Sequence, residues 1–115
     1  MKEIKAYIQR SRVNRTVRKL QEAGAPGVTI VEIHPVGYGY EPNYFEIDFE
    51  DVFKRYKYMA IVKLEVVCAD RDLERLMQVI LSQCQTGDKG DRMIFVSEVF
   101  NAIRIRDGAI GEPGL

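Results

Sequence analysis

The sequence has few of the residues that mark a catalytic or metal-binding protein. It contains no tryptophan, one histidine (His34) and two cysteines, Cys68 and Cys84. A structural zinc site takes about four ligands, and nucleophilic catalysis needs a base beside the nucleophile. These three side chains satisfy neither requirement. We therefore interpret the cysteines as small buried apolar residues of a reducing compartment, and we expect a protein that is not an enzyme and requires no cofactor.

The chain also lacks a long apolar run and an excess of charge of either sign. No stretch approaches the roughly 20 apolar residues that cross a bilayer, and residues 1–4 do not begin an apolar signal region. Seventeen basic residues balance seventeen acidic ones, whereas a nucleic-acid binder usually carries a basic face. We therefore expect a cytoplasmic protein with no membrane insertion and no nucleic-acid partner.

The length and composition are those of one small globular domain. The chain has 115 residues, of which 46% are hydrophobic and 30% charged, and this is enough for one core. We predict a single domain over residues 1–115. A core of this size stabilises a domain only marginally, which favours an oligomer.

Apolar periodicity predicts two strand–helix–strand units. Four segments have the alternation or the β-branched composition of strands: residues 4–8, 28–33, 59–68 and 92–99. Helices are expected after Ser11 and after Asp70, each of which can cap a helix. Residues 102–106 suit a short further strand, and residues from about 107 to 115 form a loop-like tail. The order predicts an α+β fold, a ferredoxin-like double βαβ sandwich with a long loop between strands 2 and 3.

That long loop, from about residue 35 to 58, differs in composition from the rest of the chain. Proline and glycine interrupt it at Pro35, Gly37, Gly39 and Pro42. Its acidic half is followed by a basic half, and it is rich in aromatic residues, which often anchor protein interfaces. We therefore predict that it contacts a protein partner, with four aromatic residues as candidates for the contact: Tyr40, Tyr44, Phe45 and Phe49.

Two other segments could bind phosphate. In the loop Thr86–Asp91, glycines allow backbone N–H groups to approach an anion, although many ordinary turns have the same composition. Arg104 and Arg106 alternate, so on a strand their guanidinium groups would point to the same side. Paired arginines suit phosphate oxygens, and solvated arginines on an edge strand are the alternative.

Taken in order, these segments resemble the PII signal proteins. The similarity covers nearly the whole chain except the long loop, and it is carried by residues 1–8, 23–33 (AGAPGVTIVEI), 62–67, 86–91 (TGDKGD), 94–96 and 102–108 (AIRIRDG). The resemblance implies a ferredoxin-like protomer in a homotrimer, with ATP or ADP bound in the clefts between subunits. It also implies that the long loop, called the T-loop in this family, contacts a protein target such as a membrane transporter or an enzyme.

The resemblance also implies which residues bind the nucleotide. Thr29 and Gly37 would lie beside it, and Arg104 and Arg106 would reach its phosphates. The phosphate-side loop would contribute Gly90, Asp91 and Arg92.

This chain departs from the family pattern at the positions that bind anions. The phosphate loop of the family continues with Gly-Lys, where this chain has Arg92 and Met93. A glutamine and a lysine that serve 2-oxoglutarate binding in the family align with Gly39 and Ile61. We therefore expect ATP, ADP or AMP as effector ligand, with Arg92 replacing part of the missing lysine, and little response to 2-oxoglutarate.

Two alternatives stay open at this point. The first is a PII-like trimer that senses another ligand, such as a metal ion or bicarbonate, or a transporter's state. His34 and the acidic residues of the long loop, Glu46, Asp48, Glu50 and Asp51, would supply the metal ligands. The second is a small enzyme on a ferredoxin-like scaffold, since a fold alone does not decide function.

Overall fold

The computed structural model describes residues 1–35, 61–87 and 91–115. Within these residues the chain forms four strands and two α-helices in the predicted order: β1 (Lys2–Gln9), α1 (Val13–Glu22), β2 (Thr29–Glu32), β3 (Ile61–Cys68), α2 (Leu73–Cys84) and β4 (Ile94–Glu98). Single-turn 3-10 helices precede the two α-helices, at Arg10–Arg12 and Asp70–Asp72, and a third lies at Glu112–Gly114.

The strands form one antiparallel sheet in the order β2-β3-β1-β4. Ala6 of β1 lies opposite Leu64 of β3 on one side and opposite Ile94 of β4 on the other. Each strand is joined to its predecessor through a helix or a long connection, and β1 and β3 form the centre of the sheet. This arrangement confirms the predicted ferredoxin-like α+β fold.

The core lies between one face of the sheet and the two helices. Alternate residues of β1 and β3 are buried there, as the period of a strand requires. The helices contribute Leu20 from α1 and Leu76 and Ile80 from α2. Cys68 is buried in this core, and Cys84 is half-buried with its sulfur 3.2 Å from the Thr16 hydroxyl. Both cysteines are free thiols, in agreement with their interpretation as small core residues.

The opposite face of the sheet carries charged and aromatic side chains. Lys5 lies near Glu3 on this face, and the Tyr7 and Phe95 rings meet edge to face with their centroids 5.8 Å apart. None of the described elements covers this face. A half-polar sheet surface left open in this way is suited to contact with another molecule.

The two helix starts differ from the prediction that Ser11 and Asp70 act as caps. Each helix begins after a 3-10 turn, and no side chain caps either start. Backbone carbonyl groups of the 3-10 turns accept hydrogen bonds from the first helical amides instead. Val13 N–H donates to Arg10 O, and Leu73 N–H donates to Asp70 O. The Asp70 carboxylate pairs with the amino group of Met1, 2.9 Å away.

The short strand predicted at residues 102–106 reduces to a single β-bridge between Ile103 and Ile110. The chain closes into a turn there, in which Gly108 N–H donates to Arg104 O at 2.7 Å and Arg104 N–H donates to Ala109 O at 2.8 Å. Gly108 has φ 73°, a conformation that glycine adopts without steric cost. The tail then packs back on the turn, since a Cβ at Gly114 would lie 2.6 Å from the Ala109 carbonyl oxygen. We call residues 102–111 the C-terminal turn.

Candidate functional site

The Asp91 carboxylate organises the described part of the loop that was predicted to bind phosphate. Its Oδ2 accepts hydrogen bonds from Thr86 N–H at 2.7 Å and Gly87 N–H at 2.8 Å, and its Oδ1 accepts from the Thr86 hydroxyl at 2.7 Å. Gln9, at the end of β1, donates to Oδ1 at 3.3 Å. The Asp91 carboxylate therefore acts as the anion for two amides of this loop. Its bond from Gln9 also ties the loop to the sheet.

These hydrogen bonds lower the pKa of the Asp91 carboxyl below its ordinary value of 3.8, the Thr86 hydroxyl having the largest effect and the Thr86 and Gly87 amides adding to it. A lowered pKa in the folded chain means that the charged form stabilises the loop. That stabilisation is fully present above pH 3.8 and is lost as the pH falls through the lowered value.

We expect Asp91→Asn to loosen the loop without unfolding the domain. An asparagine cannot accept the bonds of both oxygens, so the Thr86 and Gly87 amides should exchange with solvent about tenfold faster at pH 7, as loss of a charged hydrogen bond implies. The difference from wild type should begin to shrink below pH 3.8 and disappear only as the pH falls through the lowered pKa of Asp91. Hydrogen exchange measured by NMR checks this. Glu22→Gln removes the same charge from α1 and should change neither amide, and equal protection in Asp91→Asn would contradict the role of Asp91.

A cleft of about 230 Å³ lies beside this loop. Its apolar wall comes from the ends of β1 and α2, with Ile8, Ile80 and Cys84 among its residues. Burial raises the pKa of the Cys84 thiol, so this thiol is a poor nucleophile at neutral pH. Arg92 lines the same cleft, and its Nη1 donates to the Asp91 carbonyl oxygen at 3.4 Å. Arg92, predicted to bind phosphate, therefore lines this cleft together with its neighbour Asp91.

The C-terminal turn places Arg104 against Asp107. Nε of Arg104 donates to one carboxylate oxygen at 3.0 Å and Nη2 donates to the other at 2.7 Å. Arg106 is exposed in the same turn. Because this segment is a turn, the inference that the two guanidinium groups point to one side, which assumed a strand, no longer holds.

The Asp91 loop and the C-terminal turn lie at opposite ends of the protomer. Asp91 is bound to Gln9 at the carboxyl end of β1, whereas Val99, which leads into the turn, bonds to Met1 O at the other end. A strand of eight residues spans roughly 24 Å. The two ends of helix α2 show the same separation. Thr86 of the Asp91 loop follows the carboxyl end of α2, whereas Arg71, just before its amino end, pairs with Glu112 of the C-terminal tail. One protomer therefore does not bring both segments to one phosphate chain.

The other predicted binding residues are scattered or lie outside the described residues. Thr29 is exposed at the start of β2, the edge strand on the far side of the sheet from β4. The structure does not describe Gly37 or Gly90, nor the proposed partner contacts Tyr40, Tyr44, Phe45 and Phe49. Ile61, aligned with the family's 2-oxoglutarate lysine, is a buried residue at the start of β3.

Sequence reasoning missed two residues that shape these segments. Gln9 reaches Asp91 across the fold, and no local pattern in the sequence indicates that contact. Asp107 stands three residues after Arg104, a spacing that could have indicated an ion pair across a turn.

Metal-binding groups and membrane-spanning helices can be assessed in the described part of the chain. No group of three His, Cys, Asp or Glu residues in residues 1–35, 61–87 and 91–115 is placed to hold a metal ion. The acidic residues 46–51, predicted as possible metal ligands, lie outside these ranges. No helix in the same ranges is long and apolar enough to cross a membrane.

Comparison with known proteins gives a consistent result over the whole chain. The family model described as "Nitrogen regulatory protein P-II" matches residues 1–109. The Nitrogen regulatory protein P-II of Rhizobium meliloti is 36% identical over 111 residues, 96% of each chain. P-II 2 of Methanothermobacter thermautotrophicus is 33% identical over 117 residues, covering 100% of this chain and 97% of the relative. A crystal structure of Arabidopsis thaliana PII bound to citrate matches with a TM-score of 0.76 and 29% identity, covering 99% of this chain and 91% of that one.

Proposed function

The chain belongs to the nitrogen regulatory protein P-II family of signalling proteins, and from this premise we propose that it binds an adenine nucleotide between its subunits and regulates a target protein. The target would be a transporter or a metabolic enzyme, contacted through the T-loop at about residues 35–58. ATP, ADP or AMP would act as an effector ligand and not as a cofactor of catalysis, since the family consists of signalling proteins and not of enzymes.

The observation that carries the proposal is the separation of the two anion-binding segments. The Asp91 loop and the C-terminal turn are at opposite ends of β1, roughly 24 Å apart along an eight-residue strand. A triphosphate chain is much shorter than that distance, so one protomer offers only half of a site. A second copy can place its C-terminal turn beside the Asp91 loop of the first, which supports a site shared between subunits.

Exposed apolar side chains support assembly with other copies of the chain, and we propose a homotrimer. Phe100 is fully exposed and Ile105 is 99% exposed, and Ile103 and Ile110 beside them are also exposed. These residues flank Arg104 and Arg106, so a contact that covers them would also bring the two arginines to a neighbouring subunit. A small domain gains stability from such burial, and a closed ring of identical contacts leaves no apolar surface open.

The proposed roles of individual residues follow this arrangement. In the cleft, Thr29 and Gly37 would lie beside the nucleotide, and Gly90, Asp91 and Arg92 would form the phosphate-side loop of one subunit. Asp91 would act by holding the loop, because its oxygens already accept from Thr86, Gly87 and Gln9. Arg104 and Arg106 would come from the neighbouring subunit.

The T-loop would supply the contact with the target protein. The proposed contact residues are Tyr40, Tyr44, Phe45 and Phe49, because aromatic side chains of this kind carry much of the binding energy in interfaces. The acidic and basic halves of the loop would select a partner of complementary charge.

Titration calorimetry on the wild-type protein tests the proposal. We expect saturable binding of at least one of ATP, ADP and AMP, with one nucleotide per subunit of a trimer whose mass is measured by light scattering. We expect no further heat from 2-oxoglutarate in the presence of ATP, because Ile61 is buried and carries no cation. A folded protein that binds none of the three nucleotides, or that stays a monomer at micromolar concentration, would defeat the proposal.

A further inference from the structure

Arg104 already has a bidentate anionic partner in the absence of any ligand. Its Nε and Nη2 donate to the two oxygens of Asp107 at 3.0 and 2.7 Å. This pairing raises the pKa of the guanidinium and lowers that of the carboxyl. Both side chains are partly exposed, so the pair lies where a ligand could reach it.

The turn fixes Asp107 in this position independently of Arg104. Oδ1 of Asp107 also accepts from Ala109 N–H at 3.1 Å. The backbone bonds from Gly108 N–H to Arg104 O and from Arg104 N–H to Ala109 O hold the two residues across the same turn. The carboxylate therefore stays beside the guanidinium because of the backbone geometry and not by chance contact of two long side chains.

We propose that Asp107 is a specificity-determining residue of the nucleotide site, which a ligand phosphate must displace from Arg104 before it can bind there. The inference rests on the proposed function, because it assumes that Arg104 binds phosphate. A carboxylate and a phosphate both bind the planar guanidinium through two parallel hydrogen bonds, so they compete for the same donors.

The competition ranks ligands by charge. A phosphate group that approaches Arg104 also approaches the negative charge of Asp107, and it has to replace a charge-assisted pair that is already formed. A triphosphate brings more negative charge near Asp107 than a monophosphate does, so Coulomb repulsion penalises it more. Asp107 therefore weakens binding of ATP more than binding of AMP.

The variant Asp107→Asn isolates the competing charge. Asparagine keeps the Oδ1 acceptor for Ala109 N–H, so the turn keeps its side-chain bond, while the second carboxylate oxygen and the negative charge are removed. We expect the affinity for ATP to rise at least threefold, as removal of a competing ion pair implies. The affinity for AMP should rise less, because AMP carries less negative charge near position 107, so the ratio of the two dissociation constants changes in favour of ATP.

Glu112→Gln is the matched control. It removes the same charge from the same C-terminal segment, but the partner of Glu112 is Arg71, so Arg104 stays paired. Equal gains in affinity in the two variants would show a general charge effect and overturn the role of Asp107. Asp107→Ser, which also keeps a short acceptor for Ala109 N–H, gives a second test if Asp107→Asn melts at a lower temperature than wild type.

A readout on Arg104 itself separates this inference from the proposed function. The Nε–H resonance of Arg104 is followed by NMR while tripolyphosphate, which carries no adenine, is added. In Asp107→Asn the resonance should shift at a lower concentration than in wild type, whether or not adenine nucleotides bind. Suppose that nucleotides bind wild type, but that neither the nucleotide titrations nor the tripolyphosphate titration distinguishes Asp107→Asn from wild type. The inference then fails and the proposed function stands. If tripolyphosphate acts as expected and no nucleotide binds, the proposed function fails alone.

Discussion

Replacement of both Arg104 and Arg106 with alanine is expected to weaken adenine-nucleotide binding by at least tenfold. Each guanidinium would donate charge-assisted hydrogen bonds to phosphate oxygens, and loss of two such donors changes affinity by an order of magnitude or more. The fold should survive, because the bonds that close the turn run between backbone atoms and Arg106 is exposed. Titration calorimetry with ATP and ADP measures the effect.

A second pair of arginines serves as the control for lost positive charge. Arg15 and Arg18 are exposed on α1, and their double replacement with alanine removes the same charge from another part of the protomer. Affinity should stay within about twofold of wild type in that control, as expected where no charged hydrogen bond to the ligand is lost. If the Arg104 and Arg106 double variant binds as tightly as wild type, the family roles of these two positions do not apply to this chain.

The sheet and its helices could be predicted because periodicity alone determines which side chains are buried. Ile4, Ala6 and Ile8 alternate with polar residues, and all three are buried against the helices. The apolar stripe of α2 gives Leu76 and Ile80 to the same core. Such patterns specify both the element and its buried face, and the order of the elements then leaves few topologies for a small domain.

The C-terminal turn could not be predicted in the same way. Ile103, Arg104, Ile105 and Arg106 alternate as a strand would, but among the described residues only Ile103 forms a β-bridge, to Ile110 of the same turn. Asp107-Gly108 closes the turn through backbone bonds and one left-handed glycine. In the described part of the chain no longer strand lies beside residues 103–106, so their β propensity does not produce a strand. The alternation instead leaves Ile105 on the surface.

The candidate site was predictable by residue type but not by geometry. The glycine loop and the arginines were identified from their chemistry, and the structure then placed them at opposite ends of β1. The partners that matter, Gln9 for Asp91 and Asp107 for Arg104, depend on where the chain folds. Predictions for Gly37, Gly90 and the aromatic residues of the T-loop stay predictions, since the described residues do not include them.

The exposed apolar surface around the C-terminal turn leads to the second prediction. Ile105 is 99% exposed in the protomer, and Phe100 is fully exposed. Burial of an isoleucine contributes about 1.5–3 kcal/mol relative to its exposed state, and a ring of three subunits would bury three copies. An aspartate at the same position would lose that contribution and place an unpaired carboxylate in an apolar contact, which carries a further cost.

We therefore expect Ile105→Asp to convert the proposed trimer into monomers at micromolar concentration, with loss of nucleotide binding because the proposed cleft needs two subunits. Light scattering measures the mass and calorimetry measures the binding. The protomer should stay folded, since Ile105 contributes nothing to the core. Asn14→Asp adds the same charge at an exposed position of α1 and should leave both the mass and the affinity unchanged. A trimer of Ile105→Asp with wild-type nucleotide affinity would show that the C-terminal turn lies outside the subunit contact, and it would remove the structural argument for a shared cleft.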